Sequence, residues 1–193
     1  MARTLEERLH EAETVIRQPS FLENKGLGNE VGYYVFDYPA EQELVVRSRI
    51  AEMKAKYNVP SSSFQIIEYD LYDMVIDILL EKGYLEKCFE FEKRKGFDRI
   101  TKSVGNLLRI SGDDSLIVQH ILDHTPENAI VFLTGVGKSY PLLRSHNVLN
   151  NLHQSYLHAP VVMFFPGTYN EQELILFNEI KDDNYYRAFR LVK

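Results

Sequence analysis

Four apolar runs, separated by stretches with helical character, set the strongest constraint on what this chain can fold into. In chain order they are VGYYVFDYP, SFQIIEYD, NAIVFLTG and PVVMFFPG. Continuous runs of β-branched and aromatic residues are typical of strands that are buried on both sides. Because strands that alternate with helices form a mainly parallel sheet, the pattern predicts an α/β fold with helices on both faces of that sheet.

The predicted helices carry recognisable end signals. Thr4 and Glu7 have capping-box spacing at the start of a helix over residues 4–17. Asp70 ends the second predicted strand, where its carboxylate can cap the next helix. Between these two lies a predicted helix over residues 40–57, whose apolar contacts with the core we expect to come from three residues: Leu44, Ile50 and Met53.

Residues 84–124 show no strand pattern, only three helix-like pieces, and we predict that they form a helical insert. After the third strand, a glycine turn leads into a predicted helix over residues 142–156. The segment ELILFNEI, near the end of the chain, has a less certain strand pattern.

Composition narrows the classes of protein to consider. The 193 residues, 45% of them hydrophobic, suit one domain over residues 1–193. A net charge of −6 disfavours non-specific nucleic-acid binding, although a local basic face stays open. The single cysteine, Cys88, excludes an internal disulfide and a multi-cysteine metal site. The apolar runs are too short for a membrane span and the N-terminus has no signal-peptide pattern, so we expect a cytoplasmic protein.

The sequence Gly135-Val136-Gly137-Lys138-Ser139 resembles the end of a phosphate-binding P-loop. A complete P-loop needs a further glycine five positions before Gly137, where this chain has Phe132. Pro141 also delays the helix that should begin at the lysine and serine. We therefore interpret the glycines as parts of a structural turn, and keep nucleotide binding or hydrolysis by a degenerate P-loop as the alternative.

Two histidines, His120 and His124, lie one helical turn apart with Asp123 beside them, which superficially resembles a zinc-binding motif. That motif needs a glutamate and a third ligand, and neither is identifiable in the sequence. The sequence also has no G-x-S-x-G elbow and no plausible Cys–His pair, so we expect no catalytic residues, no metal and no cofactor.

The carboxyl ends of parallel strands are where such sheets bind ligands and partners. The third strand leads its turn and helix to that edge, together with polar residues that suit an interface. The candidate partner-binding residues are Lys138, Tyr140, Arg144, His146 and, near the C-terminus, Arg187. A competing interpretation is that Arg144 and Arg187 pair internally with acids such as Asp37, Asp70 or Asp183. The adjacent Asn150 and Asn151 fit either a buried hydrogen-bond network or a binding face.

Several blocks resemble the BrxB family of bacteriophage-exclusion (BREX) systems. They include SFLENKGLGNEVGYYVFDY, IIEYDLYDMVIDILLEKG and PVVMFFPGTYNEQELILF, and the most specific are the segment from Gly135 to Leu152 and DNYYRAF, from Asp183 to Phe189. The resemblance spans nearly the whole chain. One departure is Asn170-Glu171, where we expect a more glycine-like turn in relatives.

The resemblance implies a small cytosolic protein that works beside a methyltransferase, a large ATPase and the alkaline-phosphatase-like protein PglZ. It implies no enzymatic activity, so the leading hypothesis is a non-catalytic assembly or adaptor protein that contacts PglZ. Contact with DNA is expected only indirectly, within the assembled complex, and a weak homodimer is also considered.

Overall fold

The computed structural model describes residues 3–23, 32–110, 112, 114–155, 158–182 and 188–192, apart from the side chain of residue 182. Helices and strands alternate along the chain as the sequence predicts. Their bounds are α1 Leu5–Ile16, α2 Pro19–Leu22, β1 Tyr33–Tyr38, a 3-10 turn Ala40–Gln42, α3 Glu43–Tyr57, β2 Gln65–Asp70, α4 Leu71–Glu81, α5 Leu85–Lys95, α6 Phe97–Leu107, α7 Leu116–His124, β3 Ala129–Thr134, α8 Val136–Ser139, α9 Ser145–Gln154, β4 Val161–Tyr169, β5 Leu174–Leu176, β6 Ile180–Asp182 and β7 Phe189–Arg190.

The main sheet has the strand order β2-β3-β4-β1-β7, and every neighbouring pair in it is parallel. The last three residues of β4, Gly167 to Tyr169, extend beyond this sheet and pair antiparallel with β5, which in turn pairs with β6. The uncertain segment near the C-terminus therefore contributes two short strands. The observed architecture confirms the predicted α/β fold with a mainly parallel sheet.

Successive residues of the strands point to opposite faces of the sheet and feed two separate cores. On one face, Phe36, Phe132 and Phe164 pack with the buried residues of α1 and α3. On the other face, Leu133 and Met163 belong to the cluster that holds the apolar sides of α4, α5, α6, α7 and α9. Helices therefore cover both faces of the sheet, as predicted.

The sequence signals at the starts of α1 and α4 are confirmed. Thr4 Oγ1 accepts a hydrogen bond from the Glu7 backbone N–H, and the Glu7 carboxylate accepts one from the Thr4 backbone N–H, which completes the capping box. Asp70 Oδ1 accepts hydrogen bonds from the N–H groups of Tyr72 and Asp73. These bonds satisfy backbone donors that have no partner within the helix.

A buried carboxylate fastens α1 to α3. Glu13, on α1, is 5% exposed. Its carboxylate accepts hydrogen bonds from Lys56 Nζ and Tyr57 Oη, each at 2.7 Å, and pairs with Arg49. Burial alone would raise the pKa of Glu13, but the hydrogen bonds from Lys56 and Tyr57 and the charge of Arg49 together lower it.

The predicted core contacts of α3 are correct at Ile50 and Met53, each 2% exposed, and wrong at Leu44, which is 77% exposed. The buried positions of α3 are Val46, Ile50, Met53 and Tyr57. These positions follow one stripe of the helix, at spacings of three and four residues. Leu44 precedes Val46 by two residues and therefore points away from that stripe.

The insert predicted over residues 84–124 is helical and comprises α5, α6 and α7. It packs on the sheet face of α4 and α9 through buried residues such as Cys88, Ile100, Val104 and Ile117. One polar contact fixes it further, because Asn151 Nδ2, on α9, donates to the backbone carbonyl of Ile110 over 2.7 Å. For Asn151 this favours the structural alternative over a binding face.

The helix predicted over residues 142–156 starts later than expected. A single helical turn, α8, follows Gly135, and the longer helix α9 begins only at Ser145. Between them Tyr140 is extended, with φ −70° and ψ 136°, as favoured for a residue that precedes a proline. Pro141 therefore lies in the connection between the two helices, and α9 begins four residues after it.

Candidate functional site at the carboxyl edge of the sheet

The parallel strands bring their polar carboxyl ends to one edge of the sheet, as predicted. Asp37 lies opposite Phe165 in the register of β1 and β4, and Asp70 lies opposite Thr134 in that of β2 and β3. The glycine turn at residues 135–139 follows directly after Thr134. This edge therefore holds most of the positions that the sequence marks as candidates for binding.

Asp37 is the most enclosed acid at this edge, at 6% exposure. Its carboxylate pairs with Arg8, on α1, and with Arg190, on β7, at 2.5 and 2.8 Å. It also accepts a hydrogen bond of 3.0 Å from the backbone N–H of Tyr169. Asp37 thus joins elements from the two ends of the chain and is fully engaged in holding the fold.

Asp70 combines helix capping with a charge contact. While Oδ1 caps α4, Oδ2 lies 2.8 Å from Lys138 Nζ. Lys138 Nζ is also 3.0 Å from Asp73 Oδ1. Burial alone would lower the pKa of Lys138, but the contacts with Asp70 and Asp73 outweigh it and raise that pKa. The cation of the GKS sequence is thus held by two carboxylates of the chain itself.

The close approach of Asp70 also explains the glycine at position 135. Gly135 is left-handed, with φ 69° and ψ 16°, a conformation that residues with a Cβ adopt at a cost. A Cβ atom there would lie 2.3 Å from Asp70 Oδ1. Ser139, which would face Mg²⁺ in a P-loop, is 1% exposed and donates to the Val136 carbonyl over 3.0 Å. Both observations fit a structural turn.

A small cavity lies beside this turn. Its lining includes Tyr140, Arg144, Phe165 and Leu176. Its volume of about 20 Å³ is close to that of one water molecule. A nucleotide does not fit into this cavity.

The structure places the candidate partner-binding residues at different depths. Arg144 is exposed, and its side chain forms no ion pair or hydrogen bond with the residues that the structure describes. Tyr140 is half-buried and lines the cavity beside the turn. His146 is half-buried and already has an interaction partner. Arg187 lies outside the described residues. The assignment of these residues to a partner surface stays a prediction.

Arg144 also borders a wider groove between the carboxyl edge and the helical insert. The groove has a volume of about 340 Å³ and is lined on the insert side by Asn106 and Arg109, and on the other side by Arg144 and Asn147. Sequence reasoning missed the insert residues of this groove. Their polar character was visible, but their position opposite Arg144 depends on how α6 packs.

The two histidines of α7 behave as residues of a helix end. His124 Nδ1 donates a hydrogen bond to the His120 carbonyl over 2.8 Å, and the two rings stack with centroids 4.3 Å apart. Burial and the nearby charge of His124 lower the pKa of His120. Over the described ranges, no group of three His, Cys, Asp or Glu side chains is arranged to hold a metal ion.

No helix in the described parts of the chain is long and apolar enough to cross a membrane. No solved structure matches this chain.

Comparison with known proteins identifies close relatives. The sequence profile described as BREX protein BrxB matches residues 67–191. A BREX protein BrxB from Bacillus cereus (strain H3081.97) is 51% identical over 190 residues, which cover 98% of either chain. A BREX protein BrxB from Escherichia coli O9:H4 (strain HS) is 32% identical over 188 residues, covering 97% of this chain and 92% of the relative. The chain therefore belongs to the BrxB family of BREX proteins.

Proposed function

We propose that this chain is a non-catalytic component of a BREX anti-phage defence system, an assembly or adaptor protein that contacts the alkaline-phosphatase-like protein PglZ. Membership of the BrxB family supports the defence role. The docking surface we assign to PglZ is the carboxyl edge around Tyr140, Arg144 and His146, with Lys138 behind it and Arg187 as a further candidate.

The observation that carries the proposed surface is the contrast between Arg144 and its charged neighbours. Asp37 is neutralised by Arg8 and Arg190, and Asp70 by Lys138. Arg144, by comparison, is exposed and makes no ion pair within the described part of the chain. Two of the internal partners considered for it, Asp37 and Asp70, are therefore already taken, and the third, Asp183, lies outside the described residues. An arginine in this state can pair with a carboxylate of another protein without losing an existing bond.

The surroundings of Arg144 suit an interface centre. Tyr140 stands beside it with a half-buried ring, and the groove toward Asn106 and Arg109 offers a recess for a partner side chain. Arginine and tyrosine are enriched among the residues that dominate binding energy, especially next to pockets. A partner seated on Arg144 would contact the carboxyl edge and the helical insert together.

The alternative, nucleotide binding at the glycine turn, has less support. In a P-loop the lysine must reach a phosphate, but here Lys138 Nζ is 2.8 Å from Asp70 and 3.0 Å from Asp73. Two carboxylates at this position would repel a polyphosphate. The cavity beside the turn, at about 20 Å³, is also far too small for a nucleotide.

Charge reversal at Arg144 tests the adaptor proposal. Arg144→Glu should weaken co-purification with co-expressed PglZ by about tenfold or more, because loss of an interface-centre residue often costs 2 kcal/mol or more. The melting temperature should change little, since Arg144 makes no internal ion pair among the described residues. Arg17→Glu is the matched control: Arg17 is likewise exposed, but at the end of α1.

Two results would overturn the proposal. One is unchanged binding of PglZ by Arg144→Glu, and the other is a loss of binding that the Arg17→Glu control shares. The nucleotide alternative has its own measurement: ATP with Mg²⁺ should not raise the melting temperature, since only a ligand that binds the folded state does so. A rise that Lys138→Ala abolishes would establish the alternative instead.

A further inference from the structure

The helical hairpin formed by α5 and α6 carries, around its turn, a concentration of positive charge that the proposed function does not use, whereas the first part of α5 holds the acids Glu86, Glu90 and Glu92. Residues 93–109 contain six basic residues and one acidic residue, in a chain whose net charge is −6. The six are Lys93, Arg94, Lys95, Arg99, Lys102 and Arg109. The rest of the chain is therefore strongly acidic, and this segment is a local exception.

The side chains of the first five of these cations make one hydrogen bond among the described residues, from Arg94 Nε to the Glu90 carbonyl over 3.3 Å. All five are exposed, and none forms an ion pair with an acid that the structure describes. Elsewhere, Arg49, Lys54 and Lys138 are all paired with carboxylates at the surface of the sheet or between helices. Cations without an ion pair among the described residues are thus clustered on the hairpin.

The fold holds these cations together at one turn. Gly96 has a positive φ of 82° with ψ 170°, an extended conformation that favours glycine, and α6 begins directly after it, so the last turn of α5 lies beside the first turn of α6. Arg99 and Lys102 are three residues apart and lie on the same side of α6. The opposite sides of the two helices are buried through Cys88, Ile100 and Val104. The core therefore fixes the hairpin while its charges face solvent.

Helix-end stabilisation explains only part of this arrangement. Lys93, Arg94 and Lys95 occupy the last turn of α5, where cations interact favourably with the helix dipole. Arg99 lies in the first turn of α6, where the dipole disfavours positive charge, and Lys102 lies at the middle of α6, where the dipole gives it no stabilisation. A second reason is needed for the cluster as a whole.

We propose that the α5–α6 hairpin is a nucleic-acid binding surface that contacts the phosphate backbone. Phosphate contacts come mainly from exposed lysine and arginine side chains. The acidic remainder of the chain does not prevent such binding, since charges beyond roughly 8–10 Å are screened at physiological ionic strength. A protein partner is the less favoured occupant, because interfaces between proteins are depleted in lysine, which supplies three of these five cations.

One aromatic residue stands in the same turn. Phe97 follows Gly96 and its side chain is 48% exposed, unusual for a large apolar residue. Basic residues combined with an exposed ring are the means by which proteins hold single strands, because a base can stack on the ring. Phe97→Ala should therefore weaken binding to a single strand and leave binding to a duplex nearly unchanged.

The test measures binding of fluorescently labelled 20-base-pair duplex DNA and of its single strand, at several salt concentrations. The full chain should bind with an affinity that falls steeply with salt. The triple variant Lys93→Gln, Arg94→Gln, Lys95→Gln should bind at least about tenfold more weakly at low salt, and its salt slope should fall by about three, one for each phosphate contact removed. Failure to bind either DNA at low salt would overturn the proposal.

The control removes the same charge elsewhere. Arg3→Gln, Arg47→Gln, Lys181→Gln loses three exposed cations that are paired with acids outside the hairpin. It should keep the affinity of the wild type. If both triple variants lose the same DNA affinity, binding depends only on the net charge of the protein. That result would contradict a specific binding surface on the hairpin. The hairpin variant should still co-purify with PglZ; if it loses PglZ and the wild type binds no DNA, the hairpin is a protein-binding surface instead.

Discussion

The carboxyl edge of the sheet and the α5–α6 hairpin differ in whether their charged side chains are paired. At the edge, buried Asp37 is enclosed by Arg8 and Arg190, and Lys138 is held by Asp70 and Asp73. On the hairpin, Lys93 to Lys95 and their neighbours are exposed and have no partner among the described acids. Charged residues that look equally prominent in the sequence thus divide into those that hold the fold and those that are available to bind.

The largest effect should come from the centre of the edge. Asp37→Ala should lower the free energy of unfolding by about 3–5 kcal/mol, because it leaves Arg8 and Arg190 partly buried and without their carboxylate. Denaturant unfolding of the purified variant measures this loss. Asp37→Asn keeps the shape of the side chain but removes its charge. Its free energy of unfolding should lie between that of the wild type and that of Asp37→Ala. If Asp37→Ala lowers the free energy of unfolding by less than about 1 kcal/mol, the charges at the carboxyl edge do not stabilise the fold more than those of the hairpin do.

A smaller effect, dependent on pH, is expected at the buried Glu13. Glu13→Gln should lower the free energy of unfolding by about 1–3 kcal/mol at neutral pH, since it weakens bonds from Lys56, Tyr57 and Arg49. The folded pKa of Glu13 is lowered from 4.5. Its contribution is therefore present above the unfolded pKa and is lost as the pH falls through the lower, folded value.

Unfolding experiments from pH 7 to pH 3 measure this dependence. The difference in unfolding free energy between the wild type and Glu13→Gln should shrink below pH about 4. Glu52→Gln is a control, because Glu52 also contacts Arg49 but its side chain is 59% exposed. A wild-type advantage that does not change with pH would mean that Glu13 acts through packing alone.

The smallest effect on stability should come from the hairpin. Each substitution of Lys93, Arg94 or Lys95 by glutamine should change the free energy of unfolding by no more than about 0.5 kcal/mol, because these exposed side chains form no ion pair with described residues. Thermal or denaturant unfolding of the three single variants checks this. A large loss would place these cations with the structural charges of the edge.

Local signals in the sequence predicted much of the fold. The capping residues Thr4 and Asp70 and the four apolar strands depend on neighbours along the chain, and all were predicted correctly. At Asn170-Glu171, where a more glycine-like turn is expected in relatives, Glu171 has φ 71°, a conformation that favours glycine. Where a residue interacts within a few positions, its role could be derived from the sequence.

The parts that escaped prediction depend on contacts distant in sequence. Leu44 looked like a core residue because it is apolar, but its orientation is set by the stripe through Val46 and Ile50. Asp37 could have paired with several arginines, and its choice of Arg8 and Arg190 follows from the positions of α1 and β7. The groove between Arg144 and Arg109 likewise exists only because the insert folds back on the sheet.

The position of β1 in the sheet has a consequence for the order in which the chain can fold. β1 comes early in the chain, yet it lies between β4 and β7, with Tyr33 opposite Val161 and Tyr34 opposite Phe189. During synthesis, β2 and β3 can pair as soon as both have left the ribosome, whereas β1 must wait until β4 and β7, which follow them, have been made. Pairing of strands so far apart in sequence is intrinsically slow, because a long loop must close first. β1 thus comes before β2 and β3 in the chain, yet it finds its own neighbours only after those two strands can pair.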